Sequence, residues 1–404
     1  MYRSLIPFPC LLAMLLAGCP STPPIAEAER KPIPELTIVG SVNLFSGGTD
    51  FFALSEDGST FVAGNKYSVG LYRASDYAPL ERHYECEGET LAISDGGYSC
   101  NTDAAIYDLG YIDANTWYFI ERILREADIR VHVRTIHPPR EISVSTVDEP
   151  RSNIIASANR NYVAHNNGLI DWRTGKRYPT KAPVFRPREQ IVPTLTPDNR
   201  IITYLGRKTM IFDPLNDTME VWKGATSLDQ AILVTPDNRH AIGLSTKNYK
   251  CTLWSWPEKK EIGHCSGRLR GIFGKNSEYL EVLALSPNGK SFAVGVDNNV
   301  RVYRIEPFQL ELETSTPGPV VALALSDGLL ATYDYKGFLR VWNIATGSLA
   351  GQHSFPGVGW ANENKYNLAF QPNSNRLFLK RGGITVFEIP KRPARQKAGS
   401  DSGK

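Results

Sequence analysis

The 404-residue chain carries almost no excess of charge of either sign: 45 Lys+Arg stand against 42 Asp+Glu, a formal net charge of +3. A nucleic-acid binder usually shows a basic excess or stripe, so the balance argues against that class. No long apolar run follows the first twenty residues, which excludes a chain with several membrane-spanning helices. No GxSxG elbow, HExxH pair, Walker loop or EF-hand loop occurs. The seven His are scattered, at His83, His132, His137, His165, His240, His264 and His353. Neither CxxC nor HxxxH spacing is present, so no zinc site is expected. No catalytic residue, metal ligand or cofactor contact can be nominated. What the chain has instead is punctuation: 33 Gly and 27 Pro among 42% hydrophobic residues. That composition excludes a disordered chain, a collagen and a coiled coil.

Behind Arg3, Leu5 to Leu16 forms an apolar stretch of 12 residues, short for a bilayer span and placed like a secretory leader. Leu16-Ala17-Gly18-Cys19 follows and resembles the bacterial lipobox. The resemblance implies a signal peptide over residues 1–18, lipidation with fatty acyl chains such as palmitate at Cys19, and attachment to a membrane through that lipid. Residues 19–34, rich in Pro and charge, read as a tether. Pro20, where Asp would signal retention, favours the periplasmic face of the outer membrane over the inner membrane. Export also puts the remaining thiols, Cys86, Cys100, Cys251 and Cys265, where disulfides form. Four cysteines allow three pairings. The local one, 86–100 with 251–265, is preferred. Cys251 and Cys265 flank the turn Pro257-Glu258-Lys259-Lys260 and would face each other near the open end of a hairpin.

The body of the chain repeats. Each unit has an apolar run, a polar tight turn, a second run, a second turn, and a third run ending in an aromatic. The first turns begin at Ser55, Ser94, Ser157, Thr196, Thr235, Ser286, Ser326 and Gln371. Three of the intervals are 39 residues and one is 40, too regular for chance and diagnostic of a repeat architecture. Pro, Asp, Asn and Gly in these turns supply the backbone geometry, and a Ser or Thr hydroxyl at the start can bond the turn. The runs are β-branched and aromatic, short for helices.

Two stretches, LALSPNGKSFAVGVDNNVRVY (283–303) and LALSDGLLATYDYKGFLRVWNIATGSLAGQH (323–353), resemble the WD-repeat β-propeller family. Val341-Trp342-Asn343 stands where the family has its Trp-Asp pair, and Thr346-Gly347 stands at the following turn. The family's Gly-His pair is matched literally only at Gly263-His264. The resemblance implies an all-β propeller over residues 35–390. Eight turn starts imply eight four-stranded blades, with seven as the alternative. The strand at Leu36–Val42 would complete the last blade as its outer strand and close the ring. Thr116–Glu126 fits a strand or a short helix, and Ile129–Ile136 with Glu141–Ser145 looks like a spare hairpin. Residues 391–404 read as a disordered basic tail.

Asp57, Asp198, Asp237, Asp297 and Asp334 all fall in turns, where Asp serves backbone geometry. Trp172, Trp254, Trp256 and Trp342 fall near the ends of third strands and are expected to pack between blades. Trp117, Tyr118, Phe355 and Trp360 lie in connections that depart from the repeat and form a candidate partner-contact set. The sequence therefore points to a monomeric, membrane-anchored envelope lipoprotein whose propeller is a non-enzymatic scaffold for envelope or periplasmic proteins. The alternative is a metal- or cofactor-dependent propeller enzyme, or a ligand- or glycan-binding protein of the periplasm.

Overall fold

The computed structural model describes residues 33–42, 48–84, 92–94, 97–99, 104–123, 128–148, 157–159, 161–165, 168–179, 194–205, 208–225, 232–245, 250–265, 281–355 and 366–390. Within them the chain is almost entirely strand, with one three-residue 3-10 turn at Lys223–Ala225. The strands form eight four-stranded antiparallel sheets, seven of them with their strands in sequence order. These are blades 1 (51–84), 2 (104–148), 3 (157–179), 4 (194–221), 5 (232–264), 6 (281–315) and 7 (320–354), and blade 8. Blade 8 takes Tyr366–Phe370, Arg376–Arg381 and Gly383–Glu388 from the end of the chain and Thr37–Val42 from its beginning. The N-terminal strand is the outer one, paired from Thr37↔Glu388 to Val42↔Ile384.

Side chains alternate across a strand, so a strand covered on both sides needs apolar residues at every position. The second strand of each blade shows this. Thr60–Asn65 is buried throughout, with Phe61 and Ala63 turned toward blade 8 and Val62 toward blade 2. In blade 7, Leu330 joins the core shared with blade 6, and its neighbour Ala331 joins the core shared with blade 8. Eight such cores exist among the described residues, one at every interface between consecutive blades, including the interface of blade 8 with blade 1. There Phe61 and Phe378 approach to 5.6 Å between ring centres. Each fully buried ring or branched chain contributes about 1.5–3 kcal/mol. No blade keeps its faces dry alone, which is why the units need one another.

The chain start also reaches a second blade. Leu36 N–H donates to the Gln352 carbonyl at 2.8 Å, and Gln352 N–H donates to the Pro34 carbonyl at 3.0 Å. Leu36 is 1% exposed, in the core between blades 7 and 8. It fits because residue 351 is glycine: a Cβ there would lie 2.6 Å from Leu36 Cδ2. The ring is thus closed by a strand in blade 8 and latched to the outer strand of blade 7.

The count of eight agrees with the sequence, but two turn starts differ, and the first is small: Ser157 lies in the first strand of blade 3, whose turn opens at Asn159. Ser94 does not start a blade turn; it ends the first strand of a small separate hairpin, Ala92–Ser94 with Gly97–Ser99. Blade 2 is instead built from Ala104–Asp113, Thr116–Ile123, Asp128–Thr135 and Arg140–Asp148. The run at 116 is a strand, and the apparent spare hairpin supplies the blade's outer half. Blade 2 escapes the repeat signature because its first two strands join through only Ala114-Asn115, with no hydroxyl-led turn.

Candidate binding cleft between blades 6 and 7

In an antiparallel four-stranded blade, the first and third turns lie at one end, and the middle turn and the link to the next blade lie at the other. The strand connections fall into two classes by length in sequence. First and third turns span 2 to 5 residues, whereas blade-to-blade links range from 4 residues (316–319) to 19 (85–103). The first and third turns thus make up a face of short turns.

On that face the turn chemistry repeats in space. Ser55 Oγ donates to Asp57 at 2.7 Å and accepts the Thr60 N–H at 3.0 Å. Thr235 does the same with Asp237 at 2.6 Å and the His240 N–H at 3.0 Å. Ser286 does so with Asn288 at 2.8 Å and the Ser291 N–H at 2.9 Å, and Thr196 bonds Asp198 and the Arg200 N–H. Burial alone would raise the carboxyl pKa of Asp57, Asp198 and Asp237, but hydrogen bonds, led by the Ser59 N–H on Asp57, the Arg200 guanidinium on Asp198 and the Thr235 hydroxyl on Asp237, outweigh it and leave all three below the ordinary 3.8. Gly289, at φ +68°, closes the Ser286 turn in a conformation that other side chains adopt at a cost.

Equivalent turns of neighbouring blades also bond each other at the repeat interval. Asn159 Nδ2 donates to Asn199 Oδ1 at 2.9 Å, 40 residues on. Asn288 Nδ2 donates to Asp327 Oδ1 at 2.6 Å, 39 residues on. Beside the second bridge lies a cleft of about 650 Å³, within the range of sites that hold small ligands or short chain segments. Its walls are the Ser286–Lys290 turn and the Arg304–Glu311 stretch of blade 6, and Ser326–Gly328 with Ile344-Ala345 of blade 7. Leu310 and Ile344 supply apolar surface. Arg304 Nε is fixed on Glu311 at 2.7 Å, and Ser291 Oγ reaches the same carboxylate at 3.3 Å. On the blade 5 side, Glu306 receives Arg239 at 2.9 Å and stands 3.3 Å from His240 Nε2. The Lys290 ammonium and the Gln309 amide enter no ion pair or hydrogen bond among the described residues, so both are left to meet a ligand. Ser286 is already engaged by its turn, as the bonds above show. What the cleft offers is hydrogen bonding, one free cation and an apolar floor.

The residues singled out in sequence lie elsewhere. Cys251 and Cys265 are joined by a disulfide, with Cα atoms 5.2 Å apart, at the open end of the blade 5 hairpin. Cys19, Cys86, Cys100 and Trp360 fall outside the described residues. Trp117 and Tyr118 are on the second strand of blade 2, 1% and 5% exposed, packed toward blades 1 and 3 respectively. Buried so, they present no ring to a partner: their aromatic surface holds the ring together. Phe355 is half-buried beyond the outer strand of blade 7, with the Arg381 guanidinium 4.6 Å from its ring centre. Trp172, Trp254 and Trp256 are buried between blades, and Trp342 packs against the core between blades 6 and 7. Among the described residues no group of three or more metal-ligating side chains gathers. His132, on blade 2, places its ring nitrogens 2.9 Å from Glu121 and 2.8 Å from Glu141 and stacks on Phe119 at 4.3 Å.

Comparison with known proteins places this architecture. The chain resembles the C-terminal WD40 domain of Sif2, with a TM-score of 0.65 and 13% identity over 89% of this chain and 99% of that one. Saccharomyces cerevisiae Sqt1 gives 0.62 and 10% over 88% and 99%. The computationally designed Ika8 protein gives 0.54 and 16% over 88% and 100%. These likenesses establish a WD40-like β-propeller fold. No family model and no curated protein matches the sequence.

Proposed function

We propose that this chain is a lipid-anchored cell-envelope scaffold, non-enzymatic, whose propeller holds a segment of an envelope or periplasmic protein in the cleft between blades 6 and 7. The cleft carries the reading. It is concave, set on short turns cross-linked by the Asn288–Asp327 bond, and its free donors are suited to backbone carbonyls and a carboxylate. A closed ring presents such a site without reorganising, which keeps the cost of association low. The lipobox-like Leu16-Ala17-Gly18-Cys19 supports attachment at the periplasmic face of the outer membrane, with Cys19 as the acylated residue.

The test is affinity capture from envelopes with the wild-type chain and with a variant carrying Lys290→Glu and Gln309→Ala. Both positions are solvent-facing, so the ring should fold unchanged, checked by near-ultraviolet circular dichroism. The expected result is a partner enriched by the wild type and lost with the variant. Recovery of the same partners in the same amounts by both chains would show that the cleft is not the binding site.

A further inference from the structure

His132, on the third strand of blade 2, is a buried ring whose two nitrogens face carboxylates on two different strands. Nε2 stands 2.9 Å from Glu121 Oε2, on the second strand. Nδ1 stands 2.8 Å from Glu141 Oε1, on the outer strand. Neither carboxylate belongs to the residue directly opposite. Glu121 pairs with Arg130 and Glu141 with Arg134, so the ring reaches each of them diagonally and spans three strands.

A neutral imidazole carries one N–H and one lone pair, and an ionised carboxylate only accepts. A neutral ring here would therefore bond one carboxylate and turn its lone pair on the other. Only the doubly protonated ring donates to both. Phe119 favours that form, because its ring lies parallel to the imidazole at 4.3 Å and its face attracts positive charge. The other charged groups are few. Arg130 and Arg134 lie on the same face of the strand as His132. Arg134 is held by Glu81, from the outer strand of blade 1, at 2.6 Å, and Arg130 stands opposite Glu121 in register. Glu141 makes no other ion pair or side-chain hydrogen bond among the described residues.

The two carboxylates differ in their access to water. The Glu121 side chain is 10% exposed and that of Glu141 is 39% exposed. Water can replace the ring at Glu141 but not at Glu121, where a lost donor would leave a buried acceptor unpaired. On loss of a proton, the remaining N–H therefore stays on Nε2, toward Glu121. The bare Nδ1 then faces the Glu141 carboxylate, lone pair against lone pair, and Glu141 turns to solvent.

We infer that His132 is a proton-operated clasp on the outer strand of blade 2, closed through Glu141 when the ring is doubly protonated and open when it is neutral. The folded clasp holds the extra proton, so its grip weakens as pH rises. That is opposite in sense to Asp237, whose support is lost as pH falls. Trp117 and Phe119 stay in the core shared with blade 1, so the ring of blades remains closed and only the edge of blade 2 loosens. Blade 2 lies across the ring from blade 6, and the cleft is not involved.

The test compares the purified protein at about pH 5 and about pH 8, the ends of the range over which imidazoles change charge. Side-chain nitrogen chemical shifts of histidine-labelled protein report the ring, with the His132 signals assigned by their loss in His132→Gln. Both nitrogens should be protonated at the lower pH and Nε2 alone at the higher. Amide hydrogen exchange in Arg140–Asp148, corrected for its intrinsic pH dependence, should be about tenfold faster at the higher pH. Glu141→Gln can offer either a carbonyl oxygen or an NH₂ group, so it meets both forms of the ring and should abolish this response. Glu220→Gln, on the outer strand of blade 4, should retain it. The inference is overturned if the His132 ring is neutral at both pH values, if corrected exchange in 140–148 is the same at both, or if Glu141→Gln responds as the wild type does.

Discussion

Closure of the ring by the start of the chain can be tested at one contact. Leu36 lies against Gly351, with its Cδ2 and Cγ 2.6 and 3.1 Å from where a Cβ of residue 351 would be. Leu36→Ala removes a buried side chain from the core between blades 7 and 8 and should cost about 3 kcal/mol. Gly351→Ala drives a methyl group into Leu36 and should cost about 1–2 kcal/mol by overpacking. With Ala at position 36 those atoms are gone, and the nearest remaining contact is the Pro34 carbonyl oxygen at 3.6 Å, an ordinary van der Waals distance. In that background Gly351→Ala should be nearly neutral, so the pair should couple by about 1–2 kcal/mol. Urea unfolding followed by tryptophan fluorescence measures all four corners of the cycle. Equal slopes would show that each variant unfolds as the same unit. Additivity within about 0.5 kcal/mol, or a Leu36→Ala variant as stable as wild type, would refute the docking of the N-terminal segment on blade 7.

Three further outcomes follow from the turns and the disulfide. Thr235→Ala removes a fully buried hydroxyl that bonds Asp237 and accepts the His240 N–H, and should cost about 1–3 kcal/mol in the same unfolding assay. The pH response should change with it. Burial by itself would raise the Asp237 pKa, and the bonds from Thr235 and from the Arg239 N–H hold it below 3.8. Stability from this carboxylate is present above that value and lost as pH falls through the folded-state pKa, so Thr235→Ala should flatten the acid limb of a stability–pH profile. Asp334 responds in the opposite sense, because burial raises it above 3.8 despite N–H bonds from Phe338, Gly318 and Lys336. Its penalty sets in as pH rises from 3.8 to its folded-state value. Asp334→Ala, which leaves three backbone donors without their acceptor, should cost about 2–4 kcal/mol at neutral pH. Reducing the Cys251–Cys265 bond, which closes a separation of 14 residues, should lower stability by about 2–3 kcal/mol, read from unfolding midpoints with and without reductant.

The blades announced themselves in sequence where a hydroxyl-led turn did the joining. Ser55, Thr196, Thr235 and Ser286 each make the turn bonds that their residue types suggest. Blade 2 stayed hidden because a two-residue turn needs no such signature. Its second strand misled for a related reason. Trp117 and Phe119 pack toward blade 1, and Tyr118 and Ile120 toward blade 3, so four consecutive positions of the strand are apolar. Such a run fits a helix as well as a strand, and its aromatics look available for a partner until both neighbours are in place. The cleft was invisible for a different reason. Asn288 and Asp327 each read as turn residues, and only a ring with one blade per repeat brings positions 39 apart into contact.

Site-specific photo-cross-linking inside intact envelopes addresses the scaffold function most directly. A photoreactive residue at Gln309, in the cleft, is compared with one at Asn216, in an exposed turn of blade 4 on the same face. A discrete protein adduct should form from position 309, be absent from position 216, and vanish when Lys290→Glu is added. Adducts that are the same from both positions, or that persist with Lys290→Glu, would contradict a protein-binding role for this cleft.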